Sequence, residues 1–291
     1  MCTTCGCSQD SHAEYTALNA PSSSTHEPHT HAHDEEAGHA HGTAHEHHDH
    51  HPHHHAHSSE HPDEIVHSNA EHATRTVRLE QEILAKNNRI AERNRGWFEG
   101  RAILACNLMS SPGSGKTTLL ERTIRDLETE LTIGVIEGDQ ASVRDAERIR
   151  NCGAPVVQIN TGAGCHLDAE MVASAIRTLA PPIQSIVVIE NVGNLVCPAL
   201  FDLGERRKVV IMSVTEGDDK PIKYPHMFRA ADLMLLNKID LLPYVSFDVT
   251  RCCEYARQVN AGLQILHVSA TRGDGMQNWY MWLREASGRP E

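Results

Sequence analysis

Short apolar, β-rich runs alternate with helical stretches from residue 102 onward, and no other feature restricts the fold as tightly. The runs are 102–109, 132–136, 156–160, 185–189, 208–214, 232–236 and 264–268. Helical patterning falls at 116–130, 140–151, 166–179, 249–261 and 275–286. A strand that is apolar at almost every position has both faces covered, and the intervening helices supply the cover. The expected fold is therefore α/β, a mostly parallel sheet with helices on both faces. Ligands in such sheets sit beyond the carboxyl ends of the strands, and the polar motifs described next follow those strands.

The first 74 residues differ in kind. They hold twelve Asp or Glu, no Lys or Arg, and 19 of the 22 histidines. Their formal charge of −12 leaves only −1 of the total −13 for residues 75–291. The body is nearly charge-balanced, so no basic surface for nucleic acid is expected. Residues 8–74, rich in His, Ala, Ser, Pro, Glu and Asp, have too few apolar side chains to offset chain entropy and are expected to be disordered. An amphipathic helix follows over 75–100, where Val77, Leu84, Ala91 and Phe98 recur every seven residues and Gly96 lies near the end. It is expected to dock on the α/β domain of 101–286, with 287–291 as a tail. No run approaches the length of a membrane span, and the N-terminus lacks the pattern of a secretory signal. A cytoplasmic chain is expected, and its nine cysteines read as metal ligands or buried residues rather than disulfides.

Ser110-Ser-Pro-Gly113-Ser114-Gly115-Lys116-Thr117-Thr118 follows one strand and opens a helix, the context a phosphate loop requires. Gly113 and Gly115 let the backbone turn its N–H groups toward phosphate oxygens, with Ser114 and Thr118 in the same cradle. Lys116 is expected to reach the β/γ-phosphates and Thr117 to hold Mg²⁺. Ser110 stands where the pattern wants glycine, and Gly113 supplies the freedom instead. A metal-holding carboxylate belongs at a neighbouring strand end, and Asp139 and Glu190 both stand at such ends; Asp139 also reads as a helix cap. Asn237-Lys238-Ile-Asp240 follows a later strand, and a carboxylate there can accept from both N1–H and the 2-amino group of guanine. Ser269 and Ala270, after the last strand, suit a second base contact. The expected cofactors are GTP/GDP and Mg²⁺.

Thiols and imidazoles form two further groups. Cys2, Cys5 and Cys7 pack three thiols into six residues. Cys165 and His166, with Cys197, make a three-ligand set suited to Ni²⁺ or Zn²⁺ with an open position, although each cysteine taken alone also reads as a small buried residue. Cys106, Cys152, Cys252 and Cys253 read as buried. Asp219 and Lys220 read equally as functional groups or as ordinary loop charges. Gly162-Ala163-Gly164 lacks the third glycine of a dinucleotide fingerprint, which excludes a dehydrogenase.

The Cys-x-x-Cys-Gly-Cys terminus, the His-rich tract, the phosphate loop, Glu190-Asn-Val-Gly-Asn-Leu-Val-Cys197-Pro198 and Asn-Lys-Ile-Asp occur in that order. In this the chain resembles the HypB family of hydrogenase-maturation GTPases, over the terminus and essentially all of 75–286. The resemblance implies a SIMIBI-class P-loop GTPase that hydrolyses GTP with Mg²⁺ and forms a nucleotide-dependent homodimer. It implies a nickel site at Cys2, Cys5 and Cys7, and a second metal site at Cys165, His166 and Cys197 near the dimer contact. It implies delivery of Ni²⁺ to the [NiFe]-hydrogenase large subunit with a HypA-like nickel accessory protein. A urease-type nickel GTPase would carry Cys-Pro-His, whereas Ala199 follows Cys197-Pro198. The clustered histidines also suit a nickel storage or buffer protein.

Overall fold

The computed structural model describes residues 13–18, 62–139, 144–162 and 164–288. Cys2, Cys5, Cys7 and the histidine tract of 19–61 lie outside the described residues, as do the helix start expected at 140–143, Ala163 and residues 289–291.

Among the described residues, eight strands form one sheet in the order β1-β4-β3-β5-β2-β6-β7-β8. They are β1 (Glu14–Leu18), β2 (Leu104–Ser110), β3 (Ile133–Asp139), β4 (Val156–Asn160), β5 (Ile186–Glu190), β6 (Arg207–Ser213), β7 (Leu233–Asn237) and β8 (Gln264–His267). Every pairing is parallel except β1 with β4, which is antiparallel. The seven expected strands are present with ends displaced by up to three residues. The mostly parallel sheet agrees with the sequence expectation, because strands joined by helical crossovers run the same way.

The helices are α1 (Pro62–Glu99), α2 (Lys116–Leu127), α3 (Arg144–Asn151), α4 (Ala169–Leu179), α5 (Cys197–Leu200), α6 (Lys220–Lys223), α7 (Pro225–Ala230), α8 (Val249–Val259) and α9 (Met276–Ala286), with a 3₁₀ turn over Ile239–Tyr244. Two elements are described within the stretch 8–74. Glu14–Leu18 pairs as an edge strand; its Tyr and Thr favour an extended backbone. Helix α1 also begins at Pro62 rather than 75. Pro is compatible with the first helical turn, where its missing N–H is no loss.

Strand alternation assigns the core. Leu104, Cys106, Leu108, Val135, Val188, Val209, Ile211, Leu233 and Leu235 face α2 and α9, packing with Leu119, Leu120, Ile124 and Tyr280. On the opposite face Ala105, Ile136, Val187 and Ile189 pack with Val172 and Ile176 of α4 and Phe98 of α1. Met109, Val210, Met212, Met234 and Leu236 meet Met227 and Phe228 of α7 and Ala256 of α8. Each fully buried Leu, Ile or Val stabilises the fold by about 1.5–3 kcal/mol before entropy is counted. At the C-terminal end of α1, Ala91 and Phe98 are buried and Leu84 half-buried. The side chain of Val77 is outside the described residues.

Candidate nucleotide and metal sites

Ser110 is the last residue of β2 and fully buried. It continues an extended strand, so nothing there demands a glycine. The left-handed backbone is carried by Gly113 (φ 74°) and Gly115 (φ 92°). A Cβ on Gly115 would lie 2.6 Å from Asn237 Nδ2, so the loop closes against β7 only where no side chain intervenes. Asn237 holds it there: Nδ2 donates to the Ser114 carbonyl at 3.0 Å, and Oδ1 accepts from Ala270 N at 3.2 Å. Lys238 Nζ donates to the Gly113 carbonyl at 2.6 Å. Asp240 accepts from Ser269 Oγ at 2.6 Å. The expected base-reading residues are thus brought together, and two of them also brace the phosphate loop. Their spacing in sequence carried no hint of that second task.

The loop encloses a cavity of about 570 Å³ whose lining includes Gly113–Thr118, Glu137, Asp139, Glu190 and Lys238. Glu190 ends β5 and is 2% exposed. Its Oε1 accepts from Thr117 Oγ1 at 2.6 Å and lies 3.6 Å from Lys116 Nζ. Burial raises its pKa, and Lys116 and Thr117 oppose that rise. The site contains a second buried acid that the sequence reading missed. Glu137 is the register partner of Glu190 on β3, so the two carboxyls stand side by side on adjacent strands. Its position was readable as the one charged residue inside an apolar run, two residues before Asp139 and hence on the same strand face. Burial, then the neighbouring charge of Glu190, pushes Glu137 up to about 9. Oε2 of each glutamate is buried without a hydrogen-bond partner. Paired acceptor oxygens beside a threonine hydroxyl, at the mouth of a phosphate loop, fit a hydrated Mg²⁺.

The raised value has a measurable consequence in the nucleotide-free protein. Folded Glu137 keeps a proton that the unfolded chain releases above its ordinary 4.5. Between 4.5 and about 9 the folded state therefore binds more protons, and stability falls as pH rises. Glu137→Gln has no proton to lose. Its Tm is expected to drop less than the parent's from about pH 6 to about pH 8, by about 5–10 °C. Parallel Tm curves for the two proteins would refute a buried neutral Glu137.

The loop after β6 also reaches the phosphate loop. Lys220 Nζ pairs with Glu216 at 2.7 Å and donates to Ser111 Oγ at 3.4 Å, while Ser111 Oγ itself donates to Glu216. Asp219 pairs with Lys223 at 2.7 Å. Lys220 is a brace for the loop, through a glutamate the sequence reading did not select.

Cys165, His166 and Cys197 come together, with their donor atoms all within 4.8 Å of one another. Cys197 is buried at the start of α5, and Cys165 and His166 are half-buried before α4, which Asp168 caps through Met171 N at 2.8 Å. His166 stacks on Phe201, ring centroids 3.9 Å apart and planes at 26°. Burial lowers the His166 pKa, which favours the neutral imidazole a metal needs. Two sulfurs and an imidazole nitrogen at this spacing fit Ni²⁺ or Zn²⁺. Cys106, Cys152, Cys252 and Cys253 are buried elsewhere. Burial drives the Cys106 thiol far up and Cys252 to about 12, which keeps both protonated. Among the described residues no helix is long and apolar enough to cross a membrane.

Residues 104–267 match the family described as CobW/HypB/UreG, nucleotide-binding domain. The hydrogenase maturation factor HypB of Escherichia coli (strain K12) is 58% identical over 209 residues, covering 72% of each chain. The crystal structure of hydrogenase maturation factor HypB from Archaeoglobus fulgidus aligns with a TM-score of 0.66 at 42% identity, covering 70% of this chain and 100% of that one. The crystal structure of HypB from Helicobacter pylori in complex with nickel aligns with a TM-score of 0.65 at 36% identity, covering 69% and 95%. With its phosphate loop, guanine-type loops and Cys-His-Cys cluster on one sheet, the chain belongs to the HypB family of hydrogenase maturation factors.

Proposed function

We propose that this protein is a nickel-binding GTPase that couples GTP binding and hydrolysis to delivery of Ni²⁺ into the [NiFe]-hydrogenase large subunit. One observation carries the coupling. Glu190 contacts Thr117 in the phosphate loop, and the next residue, Asn191, accepts from the backbone N–H of Leu167 at 3.3 Å. Leu167 directly follows His166. A shift of the β5 end on nucleotide binding is thereby passed to the metal cluster.

In this reading Lys116 and the loop amides hold the triphosphate, and Thr117, Glu190, Glu137 and Asp139 hold Mg²⁺ and its waters. Bound Mg²⁺ supplies charge neutralisation at the β/γ-phosphates. Ser269 keeps Asp240 oriented toward the guanine. Cys165, His166 and Cys197 hold Ni²⁺ as cargo; the nickel complex of the Helicobacter pylori relative supports that choice over Zn²⁺. Cys2, Cys5 and Cys7 hold a second ion, collected by the histidine tract. The protein works in the cytoplasm as a nucleotide-dependent homodimer with a HypA-like partner.

Anaerobic Ni²⁺ titration of the full chain, without nucleotide and with GDP or a non-hydrolysable GTP analogue, tests the coupling. Cluster affinity is expected to differ between the diphosphate and triphosphate forms; equal affinities would reject it. The 19 clustered histidines favour storage as a second reading, and several ions held per chain at low free nickel would support it. Asp240→Asn loses one of two charge-assisted bonds to guanine, and its preference for GTP over ATP is expected to fall about 10- to 100-fold. Competitive nucleotide binding checks this, and an unchanged preference would remove Asp240 from base reading.

A further inference from the structure

Helix α1 does more than cover the sheet. Its buried stripe runs Asn87, Ala91, Asn94, Phe98, so two of four inward positions on an amphipathic helix are amides. A buried amide costs stability unless it is hydrogen-bonded, and each of these asparagines bonds to two backbone groups. Asn87 Oδ1 accepts from Ala169 N at 2.9 Å, and its Nδ2 donates to the Asp202 carbonyl at 2.7 Å. Asn94 Nδ2 donates to the Ala169 carbonyl at 2.8 Å and to the Leu203 carbonyl at 3.0 Å. Each amide thus bridges the same two chain segments. One runs from Cys165 and His166 to Ala169, and the other from Cys197 through Phe201, which stacks on His166, to Leu203.

Two further contacts press the helix onto the second segment. Arg95 Nη2 binds both Asp202 carboxylate oxygens, at 2.9 and 2.7 Å. Gly204 (φ 87°) lies so close that a Cβ there would be 2.5 Å from the Ala91 carbonyl and 2.6 Å from Asn94 Cβ. We propose that Asn87 and Asn94 are positioning residues of the Cys165–His166–Cys197 cluster, clamping its two halves at ligand spacing through helix α1. The sheet reaches the two segments through separate strands, β4 and β5. The amides fix their separation directly, and pre-set ligand spacing raises affinity by reducing what the metal must organise.

The inference rests on the cluster being a metal site, and the test separates the two. The full chain would carry Cys2→Ser, Cys5→Ser and Cys7→Ser, so that thiolate-to-Ni²⁺ absorption reports the cluster alone. Ni²⁺ affinity is measured anaerobically against a chromophoric chelator, with GDP binding as the check of folding. Asn87→Ala with Asn94→Ala is expected to weaken Ni²⁺ binding about 10- to 100-fold and to alter the thiolate band, with GDP affinity retained. Phe98→Leu, which loosens packing on the same helix but leaves both amide bridges in place, is expected to lower Tm and leave the band unchanged. Unchanged Ni²⁺ affinity and band in the double variant would overturn the clamp, as would an equal loss in Phe98→Leu. If Cys197→Ala in the same background leaves the band intact, the metal-site reading itself fails. Should the double variant fail to bind GDP, Arg95→Met removes the contact to Asp202, along with the pairing to Glu92 on the same helix, and leaves both amides in place. It is then expected to weaken Ni²⁺ about threefold, and no change in it would overturn the clamp.

Discussion

Lys116→Ala is expected to lower GTP turnover about 1000-fold and to weaken triphosphate binding more than diphosphate binding. The side chain is only 12% exposed and is the cation nearest the buried Glu190 carboxyl, 3.6 Å from Oε1. Its removal withdraws the charge that, in the proposed reading, meets the β/γ-phosphate oxygens. It also leaves Glu137 and Glu190 adjacent without the cation that opposes their burial. The remaining carboxyls then compete with phosphate for the same space, so the loss should exceed that of one hydrogen bond. Phosphate release under saturating GTP and Mg²⁺, together with binding of a fluorescent nucleotide, checks the expectation. Turnover within about tenfold of the parent would place the phosphate-binding charge elsewhere.

Cys197→Ala is expected to abolish tight Ni²⁺ binding at the internal cluster, a loss of more than about 100-fold. Cys197 is 1% exposed and supplies the second sulfur of a three-donor set spanning 4.8 Å. Removing it leaves one thiolate and one imidazole, too few to hold a borderline ion against water. The volume deleted is a single sulfur, so the fold is expected to persist, with about 1 kcal/mol lost. Cys106→Ala deletes the same atom from a fully buried site away from the cluster and is the matched control. Competition with a chelator, in full-length protein carrying serine at positions 2, 5 and 7, reads the difference. Equal Ni²⁺ affinity in the two variants would reject Cys197 as a ligand.

Much of the nucleotide site was legible because its residues are contiguous. Gly113 to Thr118 and Asn237 to Asp240 each act within one loop, so their order in sequence is their order in space. Ser110 read as a departure from the phosphate-loop pattern, and the structure explains it: the residue ends an extended strand and needs no left-handed backbone. The three donors of the Cys-His-Cys cluster were legible as residue types only. That Cys165 and His166 meet Cys197 depends on where β4 and β5 end within one sheet. Glu137 was overlooked because a glutamate in an apolar run acquires meaning only beside its register partner, Glu190. The buried amides of α1 escaped notice for a related reason. A seven-residue apolar count passes over polar residues that are inward-facing because they have bonding partners.

The amino-acid sequence by itself determined the α/β alternation, the phosphate loop and the guanine-type loop, because each depends on local periodicity or on a few consecutive side chains. Only the tertiary structure decided which acids share a face, which thiols share an ion's reach, and that residues 14–18 form the sheet's edge strand. Those relations follow from strand order and register, which set distances between residues far apart in the chain. Hydrogen bonding and close packing select among registers only once the whole sheet has assembled.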